Sequence, residues 1–311
     1  MSRRSKRRVV DDFMENLYSI SLYTTALGSK KRAELQKKVS WAYASPSPKQ
    51  FGSRLKVVLR RLLHDRHAYV LQKRAKTARS GSNALRDFTN RVTLLHKNES
   101  KGANLPTLYV KLAPLDLYDD AAAYKEYAAE TMRLIRAAQR TIGSRRYGVI
   151  VDVRQNHGGL LRRMFQILSC ITRHVRIAWR GVKAQGVRPH SEARLEQSGR
   201  SLIIDGASLG VRPPRREAAK IAVLIDGRTA SAGEMCAISL IGRPHVKTFG
   251  SHTYGIPTFI NGFTAKWGTT VGVSAAASYD SRGKRYVGPL IPDRRTRSPV
   301  ADALAWINRA V

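Results

Sequence analysis

The sequence predicts an α/β core with a partly parallel, mixed sheet, preceded by an N-terminal bundle of helices. Three observations predict it. Strand-like and helix-like segments alternate between residues 105 and 250, the pattern of a sheet built through crossover connections. Two short, mainly apolar runs, Tyr147–Val151 and Ala222–Ile225, have the length and β-branched content of strands buried on both faces. Before residue 65 the apolar residues recur at helical spacing instead, as in Val9, Phe13, Leu17 and Ile20.

Taken in order, residues 10–64 read as helices. Leu55, Val58, Leu59 and Leu62 share one face, and Ser45-Pro46-Ser47-Pro48 is the interrupting loop. Residues 73–104 are basic, rich in Ser, Gly and Asn, and weakly periodic, as expected of an exposed loop or cap insertion with room for short strands. Leu105–Leu112 reads as a strand. Asp119-Asp120 then opens a helix to about Gln139, two acids suiting its N-cap and the positive end of its dipole. Gly143 can close it. Tyr147–Val153 is a strand, followed by a Gly-Gly turn and a helix carrying Leu161, Phe165 and Leu168. Residues 181–217, rich in Gly, Pro, Arg and Ser, read as an insertion with one short strand near Ser201–Ile204. Ala222–Ile225 is a strand and Thr229–Ile241 a helix. Lys247–Phe249, Gly272–Ala277 and Tyr286–Val287 are further strands, and Asp302–Arg309 is a terminal helix. The implied organisation is an N-terminal helical region (1–66), a basic insertion (67–104), an α/β core (105–300) and a C-terminal helix (301–311).

Composition narrows the class. A chain of 311 residues with 42% hydrophobic content can bury a core without staples. Its two cysteines, Cys170 and Cys236, exclude a disulfide framework or a four-cysteine zinc site. The formal net charge is +34, and residues 1–100 alone carry 23 Lys+Arg against 7 Asp+Glu. Such a charge raises an acidic peptide or an anionic membrane surface as a partner. No specific nucleic-acid motif accompanies it: zinc-finger spacing, a ribonucleoprotein signature and interleaved basic and aromatic residues are all missing from the sequence. No signal peptide or transmembrane anchor is readable, because Asp11, Asp12 and Glu15 follow the basic opening where an apolar stretch would be needed. By sequence alone the localisation reads as cytoplasmic. No Walker, Rossmann or His-Glu-x-x-His motif is present, so no cofactor and no metal are expected.

Three segments carry chemistry. In Asp226-Gly-Arg-Thr-Ala-Ser-Ala-Gly-Glu-Met235 a buried strand runs through a tight turn into a helix, placing Ser231 where unpaired backbone N–H groups and the helix dipole favour an oxyanion. The ordinary alternative is an N-cap serine. In Asp152-Val-Arg-Gln-Asn-His-Gly-Gly159 a second buried strand ends in paired glycines, which admit close approach of a ligand backbone. The alternative is a plain strand–turn–helix connection. In Leu63-His-Asp-Arg-His-Ala-Tyr-Val70 a histidine can serve as general base, or simply sit at the surface.

The order and spacing of these segments resemble the C-terminal processing (tail-specific) serine peptidase family. Phe249-Gly-Ser-His-Thr-Tyr-Gly255 is similar to that family's glycine-containing loop, and Gly288-Pro-Leu-Ile-Pro-Asp293 to its closing Pro-Asp. The resemblance implies a Clp protease/crotonase-like core and a serine peptidase cutting near the C-terminus of a peptide or protein. It implies Ser231 as nucleophile and the N–H groups of Ala232 and Gly158 as the oxyanion hole. Many members carry a lysine base in the loop where this chain has Ile256. The chain is therefore most similar to the histidine-using, nisin-resistance-type branch, with His67 as the base. Members of the family are usually exported, against the cytoplasmic reading. The group orienting His67 stays open among Asp65, Asp280 and Glu234, and His252 and His157 remain alternative bases. Gly159, Leu160, Leu161, His252 and Tyr254 are the expected substrate-binding residues; Leu160 and Leu161 fit a helix core equally well. Two other readings are kept: an inactive peptide-binding protein of the same fold, and a basic nucleic-acid- or membrane-associated protein.

Overall fold

The computed structural model describes residues 3–24, 27–72, 92–95, 105–115, 121–181, 193–198, 201–204, 207–208, 210–211 and 213–309. The elements in chain order are α1 (Arg3–Ile20), α2 (Ser29–Tyr43), α3 (Pro48–Leu62), β1 (Tyr69–Leu71), β2 (Val92–Leu95), β3 (Thr107–Lys111) and α4 (Ala121–Ile142). Next come β4 (Gly148–Asp152), α5 (Leu161–Leu168), β5 (Arg176–Gly181), β6 (Ala193–Ser198), β7 (Ser201–Ile204), β8 (Ala207–Ser208) and β9 (Lys220–Ile225). The chain closes with α6 (Ala232–Leu240), β10 (Val246–Gly250), β11 (Phe259–Ala265), β12 (Thr269–Tyr279), β13 (Arg285–Tyr286), β14 (Arg294–Arg295) and α7 (Pro299–Asn308). None of the described helices is long and apolar enough to cross a membrane.

The chain divides into two compact units. One comprises Met1–Ala78, Trp179–Glu192 and Thr258–Ala277; the other comprises Arg79–Ala178, Ala193–Pro257 and Ser278–Val311. This redraws the boundaries expected from sequence. Residues 258–277, assigned to the α/β core, fold with the N-terminal helices because β12 pairs antiparallel with both β1 and β11. The apolar stripes of the three helices supply the core of that unit. Phe13 and Leu17 of α1, Leu35 and Val39 of α2, and Phe51, Leu55 and Leu59 of α3 cluster with Val271 and Val273 of β12. The expected Ser-Pro loop does its work at the start of α3: Ser47 Oγ accepts the Gln50 N–H at 3.3 Å, and Pro48 opens the helix without needing a donor. β11 escaped the sequence reading, since Asn261-Gly262 interrupts its apolar pattern.

The second unit holds the mixed sheet, in the order β14-β10-β9-β4-β3-β2. Its strands are parallel except β2, which pairs antiparallel with β3. β4 and β9 lie in the middle, and every residue of both is buried. That explains their continuous apolar run, because a parallel sheet is covered on both faces. On one face Ile150, Ala222, Leu224 and Phe249 pack on Ala303 and Ile307 of α7. The alternating Val149, Val151, Ile221 and Val223 are equally buried and point to the opposite face. A side chain at Gly148 would collide with Ile307, so the glycine lets α7 seat closely. α4 ends as expected, with Gly143 at φ +65° donating its N–H to Gln139 O. The expected insertion shows β6, β7 and β8 as an antiparallel meander. Asp119 and Asp120 lie outside the described residues.

Candidate active site

Two strand exits, after β4 and after β9, are tied together at one edge of the second unit. Asp226 Oδ1 accepts the N–H groups of Gln155, Arg228 and Thr229, each at 3.0 Å. Thr229 Oγ1 donates to Val153 O at 2.8 Å, and Ala230 N–H donates to Asn156 O at 2.9 Å. Asn156, fully buried, anchors the glycine turn by donating from Nδ2 to Leu112 O and Ala113 O. These bonds explain why Asp, Thr and Asn occur at those spacings. Each satisfies backbone groups that a turn would otherwise leave open.

Ser231 stands at the head of α6 with φ 51° and ψ −119°. This is a backbone conformation an L residue adopts at a cost of about 1–3 kcal/mol, and such strain concentrates at functional sites. The helix expected from Thr229 therefore starts only at Ala232; the strained turn takes up the residues before it. Ser231 N–H donates to Glu234 Oε2 at 3.0 Å. The same carboxylate accepts the Thr253 hydroxyl and the N–H groups of Gly255 (2.9 Å) and Ile256 (2.8 Å). Burial pushes the Glu234 carboxyl up and these bonds work against that. Glu234 thus holds the serine turn against the 253–256 loop. Its hydrogen-bond partners are that turn and that loop rather than a histidine.

The expected oxyanion donors separate. Ala232 N–H is the first amide of α6 and has no acceptor among the described residues. Gly158 does face the serine: a Cβ there would lie 2.8 Å from Ser231 Cβ and 3.1 Å from Ala232 N. Its N–H, however, donates to Asn156 Oδ1 at 2.9 Å, so the expectation that this amide is open to an oxyanion is corrected. Gly159 N–H has no acceptor among the described residues. Both glycines have φ near +112°, which only glycine adopts without strain.

The remaining candidates follow. Leu160 and Leu161, at the head of α5, are half-buried, whereas Met164, Phe165 and Leu168 form that helix's buried face. Tyr254 is exposed, and its N–H donates to Thr229 O at 2.9 Å, fixing it beside the serine turn. His252 and His157 are exposed on the same loops. Gly255 packs on Pro289, where a Cβ would approach to 2.6 Å, and Asp293 Oδ2 accepts the N–H and hydroxyl of Thr248. The glycine loop and the closing Pro-Asp are therefore one interlocked structure. Asp280 caps its own turn, accepting the N–H groups of Arg282 and Lys284 and the Tyr286 hydroxyl.

His67 belongs to the first unit. Burial pushes its pKa down to about 4, with a hydrogen bond to the Thr258 backbone as the smaller, opposing effect. The ring is therefore neutral at neutral pH. Its Nδ1 lies 2.9 Å from Thr258 Oγ1. Thr258 and Ser274, both buried, are residues the sequence did not single out, and no motif could have marked them.

A strained serine at a helix head, beside an unspent backbone N–H and on a mixed α/β sheet, is an arrangement that serine hydrolases use. Residues 109–295, more than half of the chain, match peptidase family S41, and the chain belongs to that family. Over 166 residues it is 30% identical to the nisin-resistance protein of Lactococcus lactis subsp. lactis, covering 53% of this chain and 51% of that protein. It thus spans about half the length of that relative. Among solved structures, a lipoprotein from Streptococcus agalactiae matches with a TM-score of 0.67 at 19% identity, over 97% of this chain and 96% of that one. The photosystem II D1 C-terminal processing protease matches with a TM-score of 0.58 at 14% identity, over 96% and 94%. At these identities the structural matches speak for the fold, the Clp/crotonase-like core expected from sequence.

Proposed function

We propose that this protein is a serine peptidase that cleaves a peptide or protein near its C-terminus, with Ser231 as nucleophile and His67 as general base. The observation that carries the reading is the strained Ser231 with the open Ala232 amide beside it. In the mechanism, neutral His67 takes the Ser231 Oγ proton as Oγ attacks the peptide carbonyl. The oxyanion rests on the Ala232 N–H, and Gly159, whose amide is likewise unspent, is the second donor in place of Gly158. His67 returns the proton to the leaving amine, and water then releases the acyl group by the reverse sequence. Ile256 stands where a lysine base would be needed, which favours histidine for the role.

A tail-directed cut is supported by the D1 C-terminal processing protease among the fold relatives. The +34 charge suits an acidic peptide, or a peptide held at an anionic membrane surface. Peptide libraries digested by the full chain and read by mass spectrometry test the reading. It predicts cleavage close to the C-terminus, absent in Ser231→Ala. Absence of cleavage with retained peptide binding would make the chain an inactive peptide-binding member of the fold.

A further inference from the structure

Four side chains separated by up to 209 residues in sequence form a continuous hydrogen-bonded line in the first unit. His67 Nδ1 lies 2.9 Å from Thr258 Oγ1, Thr258 Oγ1 lies 2.8 Å from Ser274 Oγ, and Ser274 Oγ donates to Asp65 Oδ1 at 2.7 Å. Thr258, Ser274 and Asp65 are each at most 1% exposed. We infer that Asp65, acting through Ser274 and Thr258, is the positioning group that fixes the proton of His67 on Nδ1 and leaves Nε2 as the basic nitrogen. The inference rests on the reading of His67 as general base.

The direction of the line follows from its far end. The Asp65 carboxylate also accepts three backbone N–H groups, those of Ser274 (2.8 Å), His67 (3.1 Å) and Ala68 (3.1 Å). An amide N–H can only donate, so the surroundings of this carboxyl call for an ionised acceptor. The Ser274 hydroxyl spends its single proton on Asp65. Its oxygen must then accept, and the Thr258 hydroxyl is the donor. The Thr258 proton being spent, its oxygen must accept in turn, and the remaining donor is the imidazole Nδ1–H. Each hydroxyl has one proton, so the charge at one end sets the tautomer at the other. Asp65 holds His67 by a second route as well, since it binds the histidine's own backbone N–H. In a dry interior such a chain is stronger than in water and more costly to break.

Substituting Asp65→Asn removes the charge and sets an NH2 against a backbone N–H whichever way the amide turns, so the Ser274 hydroxyl loses its fixed acceptor and the proton order along the line is no longer imposed. A misplaced tautomer costs about 10⁴ in kcat where the carboxylate touches the histidine directly. At two hydroxyls' remove the expected loss is roughly 10²-fold in Asp65→Asn and roughly tenfold in Thr258→Val, with KM within about twofold. Thr258→Ser restores the hydroxyl and should restore kcat.

The test is long-range proton–nitrogen NMR of the full chain labelled with ¹⁵N-histidine, run beside peptide hydrolysis. The expected result is a single Nδ1–H tautomer at His67 in the wild type and in Thr258→Ser, with Nε2–H signal appearing in Thr258→Val and Asp65→Asn. Thr258→Val is isosteric and keeps the test decisive where Asp65→Asn fails to fold. An unchanged Nδ1–H tautomer in Thr258→Val, or an Nε2–H tautomer in the wild type, overturns the relay. A wild type that shows the expected tautomers but neither cleaves peptides nor reacts with a phosphonate overturns the peptidase reading and leaves the relay standing.

Discussion

The surroundings of Ser231 and of His67 are built on opposite plans. Around Ser231 the proposed working parts are backbone: the Ala232 and Gly159 amides, with Gly158 and Gly233 packed so tightly that a Cβ would strike Ser231 at one and Asn156 at the other. Around His67 the working parts are side chains, two hydroxyls and a carboxylate in a buried line. The difference teaches where each half is vulnerable. On the proposed mechanism the serine side should fail when atoms are added, and the histidine side when a single hydroxyl is removed.

The largest expected effect breaks the serine side outright. Ser231→Ala should abolish phosphonate labelling and lower peptide hydrolysis by about 10⁴-fold or more. Ser231→Gly should be equally inactive yet melt at a higher temperature than Ser231→Ala, because glycine relieves the φ of 51°. Calorimetry on the pair checks it. A step smaller is Gly158→Ala. Its methyl would meet Ser231 Cβ at 2.8 Å, at a φ of +112°. A loss of about 10²–10³ in kcat is expected, of the size seen when an oxyanion donor is displaced. Equal activity in Gly158→Ala and wild type would mean that the tight approach has no catalytic role.

The histidine side is sharpened by pH. A neutral imidazole with its pKa held down to about 4 stays basic well below 6.5. The acid limb of kcat/KM should therefore fall nearer pH 4 than pH 6.5. The sign for stability is opposite to that of a salt-bridged histidine. Protonation favours the unfolded chain, so folding free energy should decline as pH falls from about 6.5 to 4 and then level off with respect to this group. Denaturant midpoints across that range, in wild type and His67→Gln, isolate the contribution. The smallest effect on chemistry belongs to the helical core. Leu55→Ala removes a fully buried side chain and should cost about 2–5 kcal/mol of stability. Hydrolysis per folded molecule should be little changed.

The same contrast explains what the sequence discloses. The serine half is contiguous: Asp226 to Met235 and Asp152 to Gly159 each fold as one turn, so their residue types and spacing are visible as motifs. The strands and helices around them were legible for the same reason, because burial on both faces leaves continuous apolar runs in β4 and β9. Ser231 itself was placed correctly at the helix head, but its backbone strain was not readable, and the helix was started three residues too early. Gly158 was misjudged because Asn156, two residues earlier, takes its N–H, a detail of side-chain geometry. The histidine half was only partly legible. Asp65 and His67 are two residues apart, but Thr258 and Ser274 join them through the pairing of β12 with β1 and β11, and β11 was hidden by Asn261-Gly262. An isolated serine in a strand and a threonine just before one carry no periodic or spacing signal.

The central claim is that Ser231 is an activated nucleophile whose base is His67. Reaction of a fluorophosphonate with wild type, Ser231→Ala, His67→Ala, His157→Ala and His252→Ala tests it most directly. The account predicts labelling of wild type and of the two exposed-histidine variants, and none in Ser231→Ala or His67→Ala, with all five chains folded by circular dichroism. Labelling that persists in His67→Ala and vanishes in His252→Ala or His157→Ala would contradict it.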